Sequence, residues 1–184
     1  VSTIELDQGT YANTGFTQWG ASGLAVAWAE ENTRDSIFKA FKRKETFATS
    51  GPRMAVRFFG GYNLSSIDLN SDSLVSEAYK KGVTMGADLM NDDNKTPEFI
   101  VWAQKDKNGA PLQRVQIVKG WMDSVSGRPY EKVYDVACSD GLEVDPLTNR
   151  CPDNGARVNI SDCSIPQNIG SSELKTVWQD PEFN

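Results

Sequence analysis

Histidine is absent from the 184-residue chain. Its absence removes the commonest general base, every histidine-dependent triad and most catalytic zinc and non-haem iron sites. Long apolar runs are also missing: none approaches the roughly 20 residues needed to cross a bilayer. Basic charge is scarce, with 19 Lys+Arg against 25 Asp+Glu, a formal net charge of −6 and a pI near 4.7. Such a chain lacks the cationic face that phosphate neutralisation needs, which argues against a nucleic-acid binder or a binder of anionic membranes. Cysteine is limited to Cys138, Cys151 and Cys163, and their spacing fits no CxxC-type zinc template. Two of the three can bridge, which would suit a periplasmic or secreted protein. The third is then free or paired outside this chain. All three also read as small buried hydrophobes.

What is present is ordinary globular material, 39% hydrophobic with 15 glycines. The length allows one domain, or one domain plus a piece of another. Charge is unevenly placed. Residues 135–184 carry three basic side chains (Arg150, Arg157, Lys175) against nine acidic ones, so the whole net charge resides there. The same stretch holds every cysteine and half the prolines. It reads as a loop-rich tail after a well-patterned body. Val1 carries no initiator methionine or signal peptide, and the chain stops at Asp180-Pro-Glu-Phe-Asn184. The sequence reads as a segment of a longer protein.

Along the body, Leu24-Ala-Val-Ala-Trp28 alternates large and small apolar residues, as a strand does. Asn32 or Thr33 caps a helix over about 33–43, with Asp35 near its positive end and Lys39, Lys42, Arg43 and Lys44 near its negative end. Thr46–Ser50 is β-prone, and Gly51-Pro52 breaks it. Arg53–Phe59 alternates with Met54, Val56 and Phe58 on one face and Arg53 and Arg57 on the other, and Gly60-Gly61 is expected to end it. Asp72–Lys81 is a short amphipathic helix stopped at Gly82. Phe99–Ala103, Arg114–Trp121 and Tyr130–Val136 are strands separated by turns at Asp106-Lys-Asn-Gly109 and Ser126-Gly-Arg-Pro129, the first two expected to pair. Ala156–Ile160 is an expected edge strand, and Ser171 or Ser172 an expected cap for a last helix through Trp178. The fold class is α+β and β-rich, a sandwich or open antiparallel sheet.

Several residue groups carry candidate chemistry, each beside a plainer reading. Asp68, Asn70 and Asp72 sit at alternate positions, like the start of a calcium loop. Ser73 and Tyr79 stand where the EF-hand template needs Gly and Glu, so a polar loop capping the next helix is the plainer reading. Asp88 with Asn91–Asn94, and Asp140, Glu143, Asp145 and Asp153, are oxygen-rich loops that could hold a hard cation or simply be solvated. Adjacent Glu30 and Glu31 could do acid–base work if they share a cleft, and otherwise suit the start of a helix. The basic cluster from Lys39 to Lys44 could hold a phosphate or be a solvated face. Ser50 has no histidine partner, so a serine nucleophile is unsupported. Trp19, Trp28, Trp102, Trp121 and Trp178 could stack on sugars, with core packing the expectation for Trp28 and Trp102. Asn63, Asn94 and Asn159 head glycosylation sequons that matter only in a eukaryotic secretory setting.

A more specific signal lies in Gly23-Leu-Ala-Val-Ala-Trp-Ala-Glu-Glu-Asn-Thr-Arg-Asp35, Ile37-Phe38 and Arg43-Lys-Glu-Thr-Phe-Ala-Thr-Ser-Gly-Pro-Arg53. It continues through Val56–Gly61, Gly82–Leu89, Phe99–Ala103, Arg114–Trp121, Glu131–Ala137 and Val177–Pro181. These runs resemble the closing part of a bacterial family labelled a domain of unknown function, whose front half is similar to PHP (polymerase and histidinol phosphatase) metallohydrolases. The resemblance implies that residues 1–52 end a PHP-like α/β metal domain, with its last strand and helix, and that residues 53–184 form a β-rich accessory domain. It implies divalent metals held by an upstream domain of the same protein, since this chain has no histidine to hold them. The activity implied is metal-dependent hydrolysis of a small-molecule ester, commonly a phosphoester. If Leu24–Trp28 is the last barrel strand, Glu30, Glu31 and Arg34 lie near the catalytic mouth, with Arg34 a phosphate contact. This chain is then non-catalytic alone, contains no cofactor, and buttresses the metal domain. The family usually adds a strand after the Asp-Pro-acidic-Phe motif, so an exposed edge could pair with a second copy. The alternatives are a carbohydrate- or calcium-binding module and a purely structural or assembly domain.

Overall fold

The computed structural model describes residues 3–6, 9–12, 23–92 and 95–183. Trp19, Asn94 and part of the Asn91–Asn94 loop lie outside them. The described residues are β-rich, with antiparallel sheets and two helices. Strands β1 (Thr3–Leu6) and β2 (Gly9–Ala12) pair with each other. Strand β3 (Leu24–Ala27) is joined through helix α1 (Arg34–Lys42) to β4 (Thr46–Thr49), and β3 and β4 form an antiparallel pair. Thr33 is the α1 cap: its Oγ1 accepts from the Ser36 N–H at 3.3 Å, satisfying one of the helix's free donors.

The centre is a four-stranded antiparallel sheet. It contains β5 (Ala55–Gly61), β6 (Gly82–Thr84), β7 (Glu98–Gln104) and β10 (Glu173–Gln179), in the order β10-β7-β5-β6. Helix α2 (Leu74–Lys81) runs directly into β6. Because side chains alternate along a strand, the sheet has two apolar faces. One carries Phe59 and Ile100 against Leu64, Ile67, Leu74 and Ala78 beneath α2. The other carries Phe58, Val101 and Leu174 against Val115, Val136 and Ala137. The last three belong to a ribbon of β8 (Arg114–Met122) and β9 (Pro129–Cys138). The result is helix, sheet and ribbon in three layers. Each fully buried Phe, Ile or Leu contributes on the order of 1.5–3 kcal/mol.

Four sequence expectations need correction. The glycine pair does not end its strand: β5 continues to Gly61, with Gly60 opposite Phe99 and Gly61 opposite Glu98. The missing side chains are what permit this, since a Cβ at Gly60 would stand 3.3 Å from the Phe99 ring and one at Gly61 3.1 Å from Leu64. Arg114–Trp121 does not pair with Phe99–Ala103; β7 lies between β5 and β10, and β8 pairs with β9. Residues 156–160 form no strand. There, Asn154 and Asn159 side-chain oxygens accept from backbone N–H groups two residues on and hold turns. The expected last helix is strand β10, whose Leu174 faces the ribbon while Val177 faces the α2 side.

Two ties fasten the tail. A disulfide joins Cys138 at the end of β9 to Cys151, with Cα atoms 5.6 Å apart, and Cys163 is a free, exposed thiol. Beyond β10, buried Asp180 accepts from Lys119 at 2.5 Å, and Glu182 takes the Tyr134 hydroxyl at 2.8 Å and Lys132.

Candidate functional site

The turn after α1 aims the key side chain. The Glu45 N–H reaches back to the Ala40 carbonyl and the Lys44 N–H to that of Phe41, closing the helix in a Schellman pattern. That pattern needs a left-handed residue, usually glycine; here it is Lys44, at φ 59°. Gly86, at φ +80°, packs its bare Cα on the Lys44 backbone, where a Cβ would stand 2.4 Å from the carbonyl oxygen. The turn projects Glu45 inward, leaving its side chain 3% exposed.

Glu45 is a charged hub. Its Oε1 accepts from the Tyr79 hydroxyl and from Thr84 Oγ1 at 3.2 Å, with Arg57 Nη1 3.8 Å away. Its Oε2 accepts from Arg43 Nη2 at 3.3 Å and Nε at 3.4 Å. Arg43 also holds Glu30 Oε1 at 3.2 Å, and Ser36 Oγ donates to Glu30 Oε2 at 3.0 Å. The cluster is therefore two carboxylates and two guanidinium groups, internally neutral. A backbone N–H, the Ser36 hydroxyl and Arg43 hold Glu30 below the usual carboxylate range. Burial, then the Glu45 carboxylate, pushes the Tyr79 phenol up.

Arg57 turns its other side to an aromatic cavity. Its guanidinium lies 3.7 Å above the Trp28 ring centroid, a cation–π stack. Trp28 is anchored by its indole N–H, which donates to the Val56 carbonyl at 2.9 Å. Trp102 is opposite Arg57 on β7, and its indole N–H donates to Glu173 at 2.8 Å. Trp28, Arg57, Trp102, Gln104, Val75 and Ala55 line a cavity of about 250 Å³. Trp28 and Arg57 also line an adjoining one of about 300 Å³ that contains Glu30, Arg43, Glu45 and Tyr79. Both tryptophans are half-buried, so they are cavity walls as well as packing elements.

Of the sequence-derived candidates, Glu30 enters this cluster. Glu31 and Arg34 are exposed and line neither cavity. Asp68 Oδ1 accepts from the Asn70 N–H at 2.9 Å, an Asx turn leading into α2, and Asp72 is exposed. Asp140, Asp145 and Asp153 likewise accept from Gly170, Leu147 and Gly155 N–H groups. Among the described residues no three His, Cys, Asp or Glu side chains gather as a metal site, and no helix is long and apolar enough to cross a membrane. Glu45 and Tyr79 had no sequence signal of function, and Arg57 only its place on the polar side of an alternating strand.

Over residues 2–184 the chain matches the family described as a protein of unknown function, DUF3604. The chain belongs to this family. No curated protein and no solved structure matches this DUF3604 chain.

Proposed function

We propose that this DUF3604 chain is the C-terminal, non-catalytic part of a PHP-like metal-dependent hydrolase acting on small-molecule esters, phosphoesters first among them. In this reading residues 1–52 close the metal domain and residues 53–184 brace it. The observation that carries it is the outer face of α1. Phe38 and Phe41 on this helix are 59% and 53% exposed, a large apolar surface for one nine-residue helix. The upstream domain of the same polypeptide is the occupant that the resemblance supplies for that face. The divalent ions belong to that domain, and this chain contributes the cavity rim at Glu30 and Arg43. The Cys138–Cys151 disulfide supports a periplasmic or secreted location.

The test compares the longer protein with the 184-residue chain. Each is stripped with chelator, reloaded with Mn²⁺ or Zn²⁺, and assayed on p-nitrophenyl phosphate and its bis ester. The expected result is chelator-sensitive hydrolysis by the longer protein and none by the chain alone. Hydrolysis by the chain alone, or a longer protein inert with every divalent ion, overturns the proposal.

A carbohydrate-binding reading is favoured by one observation, the two tryptophans on one cavity.

A further inference from the structure

We propose that the cavity between Trp28 and Trp102 is a binding site for a small ring compound bearing one carboxylate, which the Arg57 fork would grip through Nε and Nη2. This stands independently of the hydrolase reading.

Arg57 carries the argument. Its Nη1 donates to Tyr79 at 3.1 Å and faces Glu45 at 3.8 Å. Its Nε and Nη2 have no protein partner among the described residues. The side chain is only 20% exposed, and its plane is fixed by the Trp28 stack at 3.7 Å. A fixed, half-satisfied guanidinium in an apolar wall is a preorganised fork for two coplanar oxygens. Around it the lining is largely aromatic and aliphatic, from Trp28, Trp102, Val75 and Ala55.

Charge selects the kind of anion. Glu45 offsets part of the Arg57 charge. The neighbouring cations are paired: Lys175 with Glu173 at 2.8 Å, and Arg43 with Glu30 and Glu45 at 3.2 and 3.3 Å. A single, partly offset guanidinium suits a monoanion better than a phosphate dianion. Size limits the body: about 250 Å³ is below the usual range for drug-sized ligands and gives room for one six-membered ring. An aromatic acid and a sugar acid share that chemistry, since both offer a face to an indole and a carboxylate to the fork.

The experiment follows tryptophan emission and titration heat as the 184-residue chain meets benzoate or glucuronate, each beside a neutral counterpart, benzamide or methyl glucoside. Saturable binding of one acid, at least tenfold tighter than its neutral partner, is expected, and the acid that binds names the source. Arg57→Lys keeps the charge without the fork and is expected to weaken binding tenfold or more. Ala55→Leu fills the cavity from the sheet, away from the Tyr79 and Glu45 partners of Arg57, and is expected to abolish binding while far-ultraviolet circular dichroism and the urea midpoint stay native. No saturable binding of either acid up to about 50 mM overturns the proposal. Equal binding of acid and neutral forms, or unchanged binding in a folded Arg57→Lys or Ala55→Leu variant, also overturns it.

Discussion

Removing the carboxylate at Glu45 is the sharpest perturbation of this fold. In the wild-type chain one 3%-exposed side chain accepts from Tyr79, Thr84 and Arg43 and faces Arg57. Glu45→Ala removes the acceptor of the Tyr79 and Thr84 hydroxyls and of Arg43 Nε, while Arg43 Nη2 keeps Glu30. Deleting one partner of a buried ion pair costs roughly 3–5 kcal/mol. Arg43 is 39% exposed and rehydrates in part, whereas Arg57 at 20% rehydrates less, so the expected loss is about 3 kcal/mol. For a chain of this length that is a fall in Tm of about 6–12 °C. Glu45→Gln keeps the shape and one acceptor but loses the charge, and is expected to cost about 2 kcal/mol. Urea unfolding measures both, as a fall in midpoint at an unchanged m-value. Losses below about 1 kcal/mol in both variants would mean that the cluster does not hold α1 and its flanking strands to the central sheet.

Four further outcomes are expected. Lys44→Gly relieves the left-handed strain at φ 59° and should stabilise the chain by about 1 kcal/mol in urea. Reducing the Cys138–Cys151 bridge, whose partners are 13 residues apart, should cost about 3 kcal/mol, read as a fall in Tm with dithiothreitol that a Cys138→Ala/Cys151→Ala variant does not show. Asp135 is buried, which pushes its pKa up, yet the Cys151 N–H, Gln116, Arg114 and Arg150 outweigh this and leave it below the usual value. Its contribution is therefore present above about pH 4 and lost as pH falls through its folded pKa; Asp135→Asn should flatten that acid limb of a stability–pH curve. Phe38→Gln with Phe41→Gln should shift the Tm of the 184-residue chain by only a few degrees but lower hydrolysis and solubility of the longer protein, if α1 docks on the metal domain.

Local signals in the sequence were legible where local chemistry decides. A cap at Asn32 or Thr33, of which Thr33 serves, the break at Gly51-Pro52 and the turn at Asp106–Gly109 need only near neighbours. Long-range pairing was not legible. A tight turn made β7 and β8 look like a hairpin, but the partners of β7 are β5 and β10, both distant in sequence. In β10 the serines before it resembled a helix cap, and the alternation of Glu173-Leu-Lys-Thr-Val-Trp-Gln179 was the better guide. At the site, Glu30 stands out in sequence for its neighbour Glu31, yet its partners are Ser36 and Arg43. Glu45 reads as one more acidic loop residue, since burial of a charge is a property of the assembled packing and leaves no periodicity behind.

The strand order β10-β7-β5-β6 has a consequence for how the chain comes together. The last strand of the sequence zips along β7 across some seventy intervening residues, Glu173 opposite Gln104 and Gln179 opposite Glu98. During synthesis β5, β6 and β7 emerge first and must wait with one rim of the sheet open and the pocket for Leu174 unfilled. Completion is a late event that a ribosome-stalled chain ending before residue 173 cannot reach, and that waiting rim is where a chaperone would have most to do.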